Sequence, residues 1–373
     1  MKRIILIVLG VVCLNVYSQD KQTYSNPIAP IGVRSLTVPN VVKPILDTWI
    51  RDPYVMLGHD NWYYLVATTA TPGRKFTTQI HCWDYNDGMY MWRSKDLKKW
   101  KSMGLIWSYE KDATWQKKGK PVKAGATSVN GDPLEFMYRA VWAPELHYVK
   151  SQKNWFITTC QNGGAGSFIL KSTSGKAEGP YINIEGNEKG PIFKNIDLSL
   201  FEDDNGEVYA VGHNHFIAKM KADMSDLAEP WRKLIETPYH PDPYIEGVYI
   251  EKKDNKYHLL QTVWSVKQAD GNYTYIRSDD VKNDSLHSYD VVIATADTIY
   301  GPYSERYPAI IEGGHNNIFK DKNGEWWSTT FFNPKGEMGK KYDTTCRFGL
   351  VAVKWENGKL KPDLERNEDF YKK

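Results

Sequence analysis

Five segments of this 373-residue chain repeat one phrase, and that repetition limits the folds open to it more than any other feature. They begin at Ile50, Val141, Asn195, Tyr244 and Glu312. Each opens near an ionisable residue, runs through alternating apolar positions, breaks at a polar turn, and resumes in aromatic and β-branched residues. The turns fall at Gly58 to Asn61, Ser151 to Asn154, Asp203 to Glu207, Asp254 to Lys256 and Asp321 to Glu325. Such alternation marks half-buried strands, and Asp, Asn and Gly are the residues that turn a chain between them. A second half follows each phrase, beginning at Met89, Ser167, His215, Tyr289 and Arg347, and reads as strand, turn and strand. Four strands per unit, repeated five times at long period, predict an all-β fold, a five-bladed β-propeller.

Aligned, the phrases put Asp52, Glu145, Asp197, Glu246 and His315 at nearly equivalent places, at intervals of 93, 52, 49 and 69 residues. The first strand of a propeller blade lines the central channel, so residues near its start face a shared cavity. One acid at a strand start can simply satisfy a turn. Acids at matched positions in four successive repeats are different, because a repeat fold has no need of unpaired charge along its axis. Converging carboxylates cannot share one environment, and their pKa values are pushed apart. One then stays ionised to activate water while another keeps a proton for a leaving oxygen. That division of labour is how proteins cleave glycosidic bonds. Pro53 predicts an extended backbone at Asp52, and Gly247 allows backbone or ligand to approach closely beside Glu246.

The rest of the chain supports a soluble globular domain. Forty-eight basic residues against 45 acidic ones give a net charge of +3. The basic residues are scattered through turns, with no stripe of the kind nucleic acid requires. Lys2 and Arg3 precede the apolar run Ile4 to Val12, and Val16-Tyr17-Ser18 offers a cleavage site. This predicts a signal peptide over 1–18 and export to the periplasm or beyond. A lipoprotein anchor on Cys13 is the alternative, disfavoured by Val12 before it. No later run approaches the ~20 apolar residues of a membrane span. Residues 19–44, with Pro27, Pro30, Pro39 and Pro44, read as an extended strap, and 45–365 as the propeller. No helix of three turns is expected; Ala222 to Trp231 reads at most as a short helical connection. Glu110 to Leu134 is an insertion expected over the pocket rim, since long loops in compact domains are usually functional. Of Cys82, Cys160 and Cys346, the last two lie in apolar strand-like runs that suit buried free thiols.

The motifs Arg51-Asp52-Pro53, Trp142-Ala143-Pro144-Glu145, Ile196-Asp197 with Ser199-Leu200-Phe201, Ile245-Glu246-Gly247 and Gly313-Gly314-His315-Asn316 occur in this order. Together they resemble glycoside hydrolase family 43, five-bladed propellers of the arabinanase, levansucrase and invertase superfamily. The resemblance covers about residues 49–355. It implies an inverting glycoside hydrolase with Asp52 as general base, Glu246 as general acid, and Asp197 as the carboxylate that tunes and orients the acid. Inversion implies a base-to-acid gap of roughly 6.5–9.5 Å, wide enough for one water. The family's common substrates imply removal of terminal α-L-arabinofuranose or β-D-xylose from plant or algal polysaccharide or oligosaccharides. A related galactoside or anhydrogalactoside hydrolase is one alternative and a non-catalytic carbohydrate-binding propeller another; a retaining transfructosylase would need carboxylates only ~5 Å apart. No cofactor is implied for catalysis. His315 resembles the family's axial histidine, which can join calcium or another cation through waters; a histidine hydrogen-bonded in a turn is the other reading. The chain departs from the pattern at Leu198 and Val248, where proline is usual, and at Glu145, where Asp or His is. Trp142 is the first candidate for stacking on sugar, with Trp83, Trp115 and Trp264 behind it. Arg347 is expected to hydrogen-bond a sugar hydroxyl or to serve as a structural arginine. The partner implied is a carbohydrate substrate, with the oligomeric state left open.

Overall fold

The computed structural model describes residues 24–25, 35–70, 85–118, 120–121, 137–162, 165–234, 245–267, 269, 273–275, 287–333 and 346–372. Five four-stranded antiparallel units follow one another along the chain. Blade 1 comprises Ile50–Leu57, Tyr63–Thr69, Gly88–Ser94 and Trp100–Ser108. Blade 2 comprises Val141–Val149, Asn154–Gln161, Gly166–Ser172 and Tyr181–Asn183. Blade 3 comprises Leu198–Glu202, Val208–Gly212, Phe216–Lys219 and Arg232–Lys233. Blade 4 comprises Ile245–Lys253, Lys256–Lys267, His287–Ala296 and Tyr307–Ile310. Blade 5 comprises Ile318–Lys320, Trp326–Phe331, Phe348–Glu356 and Lys359–Pro362. The fold is the five-bladed β-propeller expected from the repeats. In blade 4 the second strand runs on beyond its neighbour and pairs with Tyr273–Tyr275, which in turn pairs with Tyr24–Ser25.

The apolar alternation fills the spaces between blades, so the core is a ring of slabs. Trp107 and Tyr64 meet Trp155 and Phe168 between blades 1 and 2. Phe156 and Ile169 meet Leu200 and Ala210 between blades 2 and 3. Val211 and Tyr209 meet Ile250 and Leu259 between blades 3 and 4, and Tyr249 and Val291 meet Ile318 and Val351 between blades 4 and 5. Ile50 and Leu65 meet Phe348 and Leu350 where the ring closes. Burying such side chains is worth roughly 1.5–3 kcal/mol each, which offsets the entropy of ordering long inner strands.

Several expectations need correction. Ala222 to Trp231 forms turns and bends rather than a helical connection. A helix of under three turns forms at Leu364–Lys372, within what the sequence allowed. It adds to the last blade through Asn367, whose side chain bonds the amide and carbonyl of Ala352 at 3.0 and 2.9 Å. The fourth strand of blade 4 lies at Tyr307–Ile310, later than its phrase implied, because the connection from Asp297 runs through Gly301-Pro302 as turn and coil. The end of the strap packs on the propeller: Val38 and Val42 are buried between blades 4 and 5, and the amide of Val38 donates to Ile311. Cys160 and Cys346 are buried free thiols. Cys82, Trp83 and the signal-peptide segment lie outside the described residues. So does most of the 110–134 insertion; its described start packs on the outer edge of blade 2, where the Trp115 indole donates to Asn187 at 2.7 Å.

Candidate active site

The inner strands do not enter the ring as regular strands. In blades 1, 2 and 4 their pairing skips at the same step, between Arg51 and Tyr54, Trp142 and Glu145, and Glu246 and Tyr249. A residue in the left-handed region sits at each skip: Asp52 (φ 51°), Ala143 (φ 43°) and Gly247 (φ 53°). Asp197 (φ 55°) stands just before the first strand of blade 3. Asp52 is thus left-handed rather than extended as the following proline predicted. A β-bulge re-aims side chains and sharpens twist. Two consecutive residues, which in a regular strand would face opposite ways, can then point into one cavity. Arg51 and Asp52 do so, and the left-handed residue Asp197 just before the blade 3 strand brings Ile196 and Asp197 to the same cavity.

The cavity has a volume of about 200 Å³ and is also lined by Thr68, Trp142, Glu246 and His315. Asp52 is held from two sides. The Thr68 hydroxyl donates to its Oδ2 at 2.8 Å, and that hydroxyl oxygen accepts the amide of Ala143 at 2.7 Å. The Arg51 guanidinium approaches Oδ1 at 3.4 Å. Asp197 accepts the amide of Gly247 on Oδ2 at 2.9 Å, so the blade 3 carboxylate is tied to the backbone next to Glu246. Burial, reinforced by the negative Asp197, pushes the Glu246 carboxyl up to about 7, while the Tyr289 phenol that donates to its Oε2 opposes the rise. His315 Nδ1 lies 3.7 Å from Asp52 Oδ1 and 4.0 Å from Asp197 Oδ2. Its burial disfavours the charged imidazolium, yet the surrounding carboxylates, Asp197 foremost, raise its pKa overall. Gly247 makes room for this ring, since a Cβ there would stand 2.7 Å from His315 Cδ2.

The five key residues are therefore not equivalent, as the alignment had placed them. Read from the bulges, Asp52 matches Ala143 and Gly247, and Glu246 matches Arg51 and Trp142. Glu145 matches Tyr54 and Tyr249, two steps along the strand. It lines no part of the cavity but lies buried, with Oε2 3.2 Å from His147 Nε2. Arg347 is also elsewhere: its Nε reaches Asp47 at 3.1 Å and its Nη1 the carbonyl of Cys346 at 3.1 Å. The cationic side chain in the cavity is Arg51, which the sequence reading missed although it occupies the same bulge position as Glu246. Thr68 and Tyr289 were missed as well, because their partners lie on other strands. Trp142 lines the cavity as expected. Trp264 instead stacks on Tyr289, with ring centroids 4.4 Å apart. Among the described residues no three His, Cys, Asp or Glu side chains are spaced to hold a metal ion.

A family model described as glycosyl hydrolases family 43 matches residues 41–360. A beta-D-galactofuranosidase from Aspergillus niger is 26% identical over 56% of this chain and 61% of its own length. A xylosidase/arabinosidase from Butyrivibrio fibrisolvens is 22% identical over 85% of this chain and 55% of its own length. The chain thus spans less than two thirds of the length of these curated relatives. Among solved structures, an endo-1,4-beta-xylanase from Bacteroides thetaiotaomicron superposes with a TM-score of 0.58 at 22% identity, covering 86% of this chain and 96% of that one. An alpha-L-arabinofuranosidase from Clostridium thermocellum superposes with a TM-score of 0.56 at 16% identity, covering 84% and 94%. These two likenesses bear on the fold, whereas the family model spans all five blades and the cavity at their axis. The chain belongs to glycoside hydrolase family 43.

Proposed function

We propose that the protein is an exo-acting, inverting glycosidase that removes a terminal α-L-arabinofuranosyl or β-D-xylosyl residue from plant or algal glycans. The observation that carries this reading is the unlike setting of two cavity carboxylates. Glu246, raised to about 7 by burial and Asp197, keeps a proton near neutral pH. Asp52, held by Thr68 and flanked by Arg51, is placed to accept one. Water attacks the anomeric carbon as Asp52 takes its proton, while Glu246 delivers its own proton to the departing oxygen. Proton exchange with solvent resets both groups. Asp197 orients and tunes the acid, and Arg51 and Trp142 hold the sugar. A cavity of about 200 Å³, below the ~300–1,000 Å³ of sites for larger ligands, suits one terminal sugar. The N-terminal pattern supports export to where such glycans occur.

A second reading is favoured by the galactofuranosidase relative. β-D-Galactofuranose has the ring configuration of α-L-arabinofuranose with an added hydroxymethyl arm, so the same ring contacts would serve both. The test is a panel of aryl arabinofuranosides, xylosides and galactofuranosides, with the first-formed product anomer followed by proton NMR. Hydrolysis of a pentoside with inversion supports the proposal, and galactofuranoside alone moves it to the second reading. First release of the retained anomer would overturn the base role of Asp52.

A further inference from the structure

The hydroxyl that donates to Glu246 belongs to a fully buried side chain behind the cavity lining. Tyr289 is 1% exposed. One ring face stacks on Trp264 at 4.4 Å and 24°, and Phe331 meets the ring edge-on at 6.3 Å and 70°. Its backbone carbonyl accepts the amide of Gly314 at 2.8 Å, immediately before His315. One residue therefore anchors the acid through its side chain and the histidine turn through its backbone. Among the described residues Glu246 Oε2 is the phenol's one hydrogen-bond partner.

We propose that Tyr289 is a positioning residue that decides which oxygen of Glu246 carries the transferable proton and aims that oxygen at the leaving group. The inference rests on the acid role proposed for Glu246. A phenol clamped between two rings cannot swing to another acceptor, so its hydrogen stays on Oε2. The proton of the neutral acid is then left on Oε1, the oxygen free to face the substrate. Burial and the nearby Glu246 hold the phenol's own pKa well above its ordinary value, so it remains a donor throughout the working pH range. A hydrogen bond given to a carboxylate favours the ionised form, which makes Tyr289 a counterweight to the burial and Asp197 that raise Glu246. The acid is thereby kept able to release its proton.

The test is Tyr289→Phe, assayed on aryl glycosides of whichever sugar the wild type hydrolyses, with leaving groups from dinitrophenol to simple alcohols. One hydrogen bond to a charged group corresponds to about 10- to 100-fold. A loss of that size is expected on alcohol leaving groups, which need protonation, and under about 3-fold on dinitrophenyl, which does not. The alkaline limb of kcat/KM should move up by about one pH unit. Placing 3-fluorotyrosine at 289, a stronger donor of the same shape, should move that limb down. Equal slowing on all leaving groups with an unmoved limb would reduce Tyr289 to a structural residue and overturn the inference. Glu246→Gln serves as the control. If it too is indifferent to the leaving group, the acid assignment itself fails; if it loses the poor leaving groups while Tyr289→Phe keeps them, only the role of Tyr289 falls.

Discussion

Glu246 is costly to the fold in a way that can be measured. Its carboxyl sits at about 7 against an ordinary value of 4.5, because burial and then Asp197 disfavour the ionised form. Between those two pH values the folded chain holds a proton that the unfolded chain has lost. Stability contributed by this group is therefore full below about 4.5 and is lost as pH rises through about 7. Glu246→Gln removes the ionisation, so at pH 8 the variant should melt above the wild type, with the gain shrinking toward pH 4. Activity should run the other way. The alkaline limb of the wild-type profile should fall near pH 7, and the variant should lose about 10²–10⁴-fold in rate on substrates with poor leaving groups. A melting-temperature difference that stays constant with pH would show that Glu246 is not carrying the buried proton.

At the scale of elements, the bulges at the first strands of blades 1, 2 and 4 and the left-handed turn at Asp197 make the site. The left-handed residues at these steps place donors and carboxylates that a regular strand would scatter to both faces. Gly247 is the tightest case, with φ 53° and a missing Cβ that would stand 2.7 Å from His315 Cδ2 and 2.8 Å from Thr262 Oγ1. Gly247→Ala should displace His315 and the amide that binds Asp197. We expect at least a 10-fold loss in kcat, with a stability cost of about 1–2 kcal/mol from the left-handed backbone, read by steady-state kinetics and thermal melting. These same bulges limited what could be read from the sequence. Asp52, Asp197, Glu246, His315 and Trp142 were legible as cavity residues because each sits beside a recurring motif. Their relative register was not, since a bulge adds a residue without marking it in the apolar pattern. Hence Glu145 was placed at the axis cavity when it lies two steps deeper, and Arg51 was passed over for Arg347. Tyr289 and Thr68 come from second and third strands, where nothing local distinguishes a residue that reaches across the sheet from one that packs.

The whole molecule was the most legible level, because five repeats with four strands each leave few architectures open. What the repeats did not reveal is how the ring closes. Among the described residues blade 5 is built from 318–362, and no described strand from the N-terminal end joins it. Asn317 makes the junction instead. Its side chain accepts the amide of Val55 at 2.9 Å and donates to the Val55 carbonyl at 2.8 Å, while Thr329 donates to the Pro53 carbonyl at 2.7 Å. These bonds fix blade 1 against blade 5 directly behind Asp52. Asn317→Leu should orphan two buried backbone groups and cost about 2–4 kcal/mol, seen as an earlier denaturant midpoint together with lost activity. An unchanged midpoint would place ring closure in the apolar slab alone. The central claim is that the axial cavity cleaves glycosides through Asp52 and Glu246. It is tested most directly by comparing wild type, Asp52→Asn and Glu246→Gln, each verified as folded, for release of sugar from one hydrolysed glycoside with a poor leaving group. The account predicts turnover by the wild type and a loss of about 10²-fold or more in each variant; wild-type rates in either variant would contradict it.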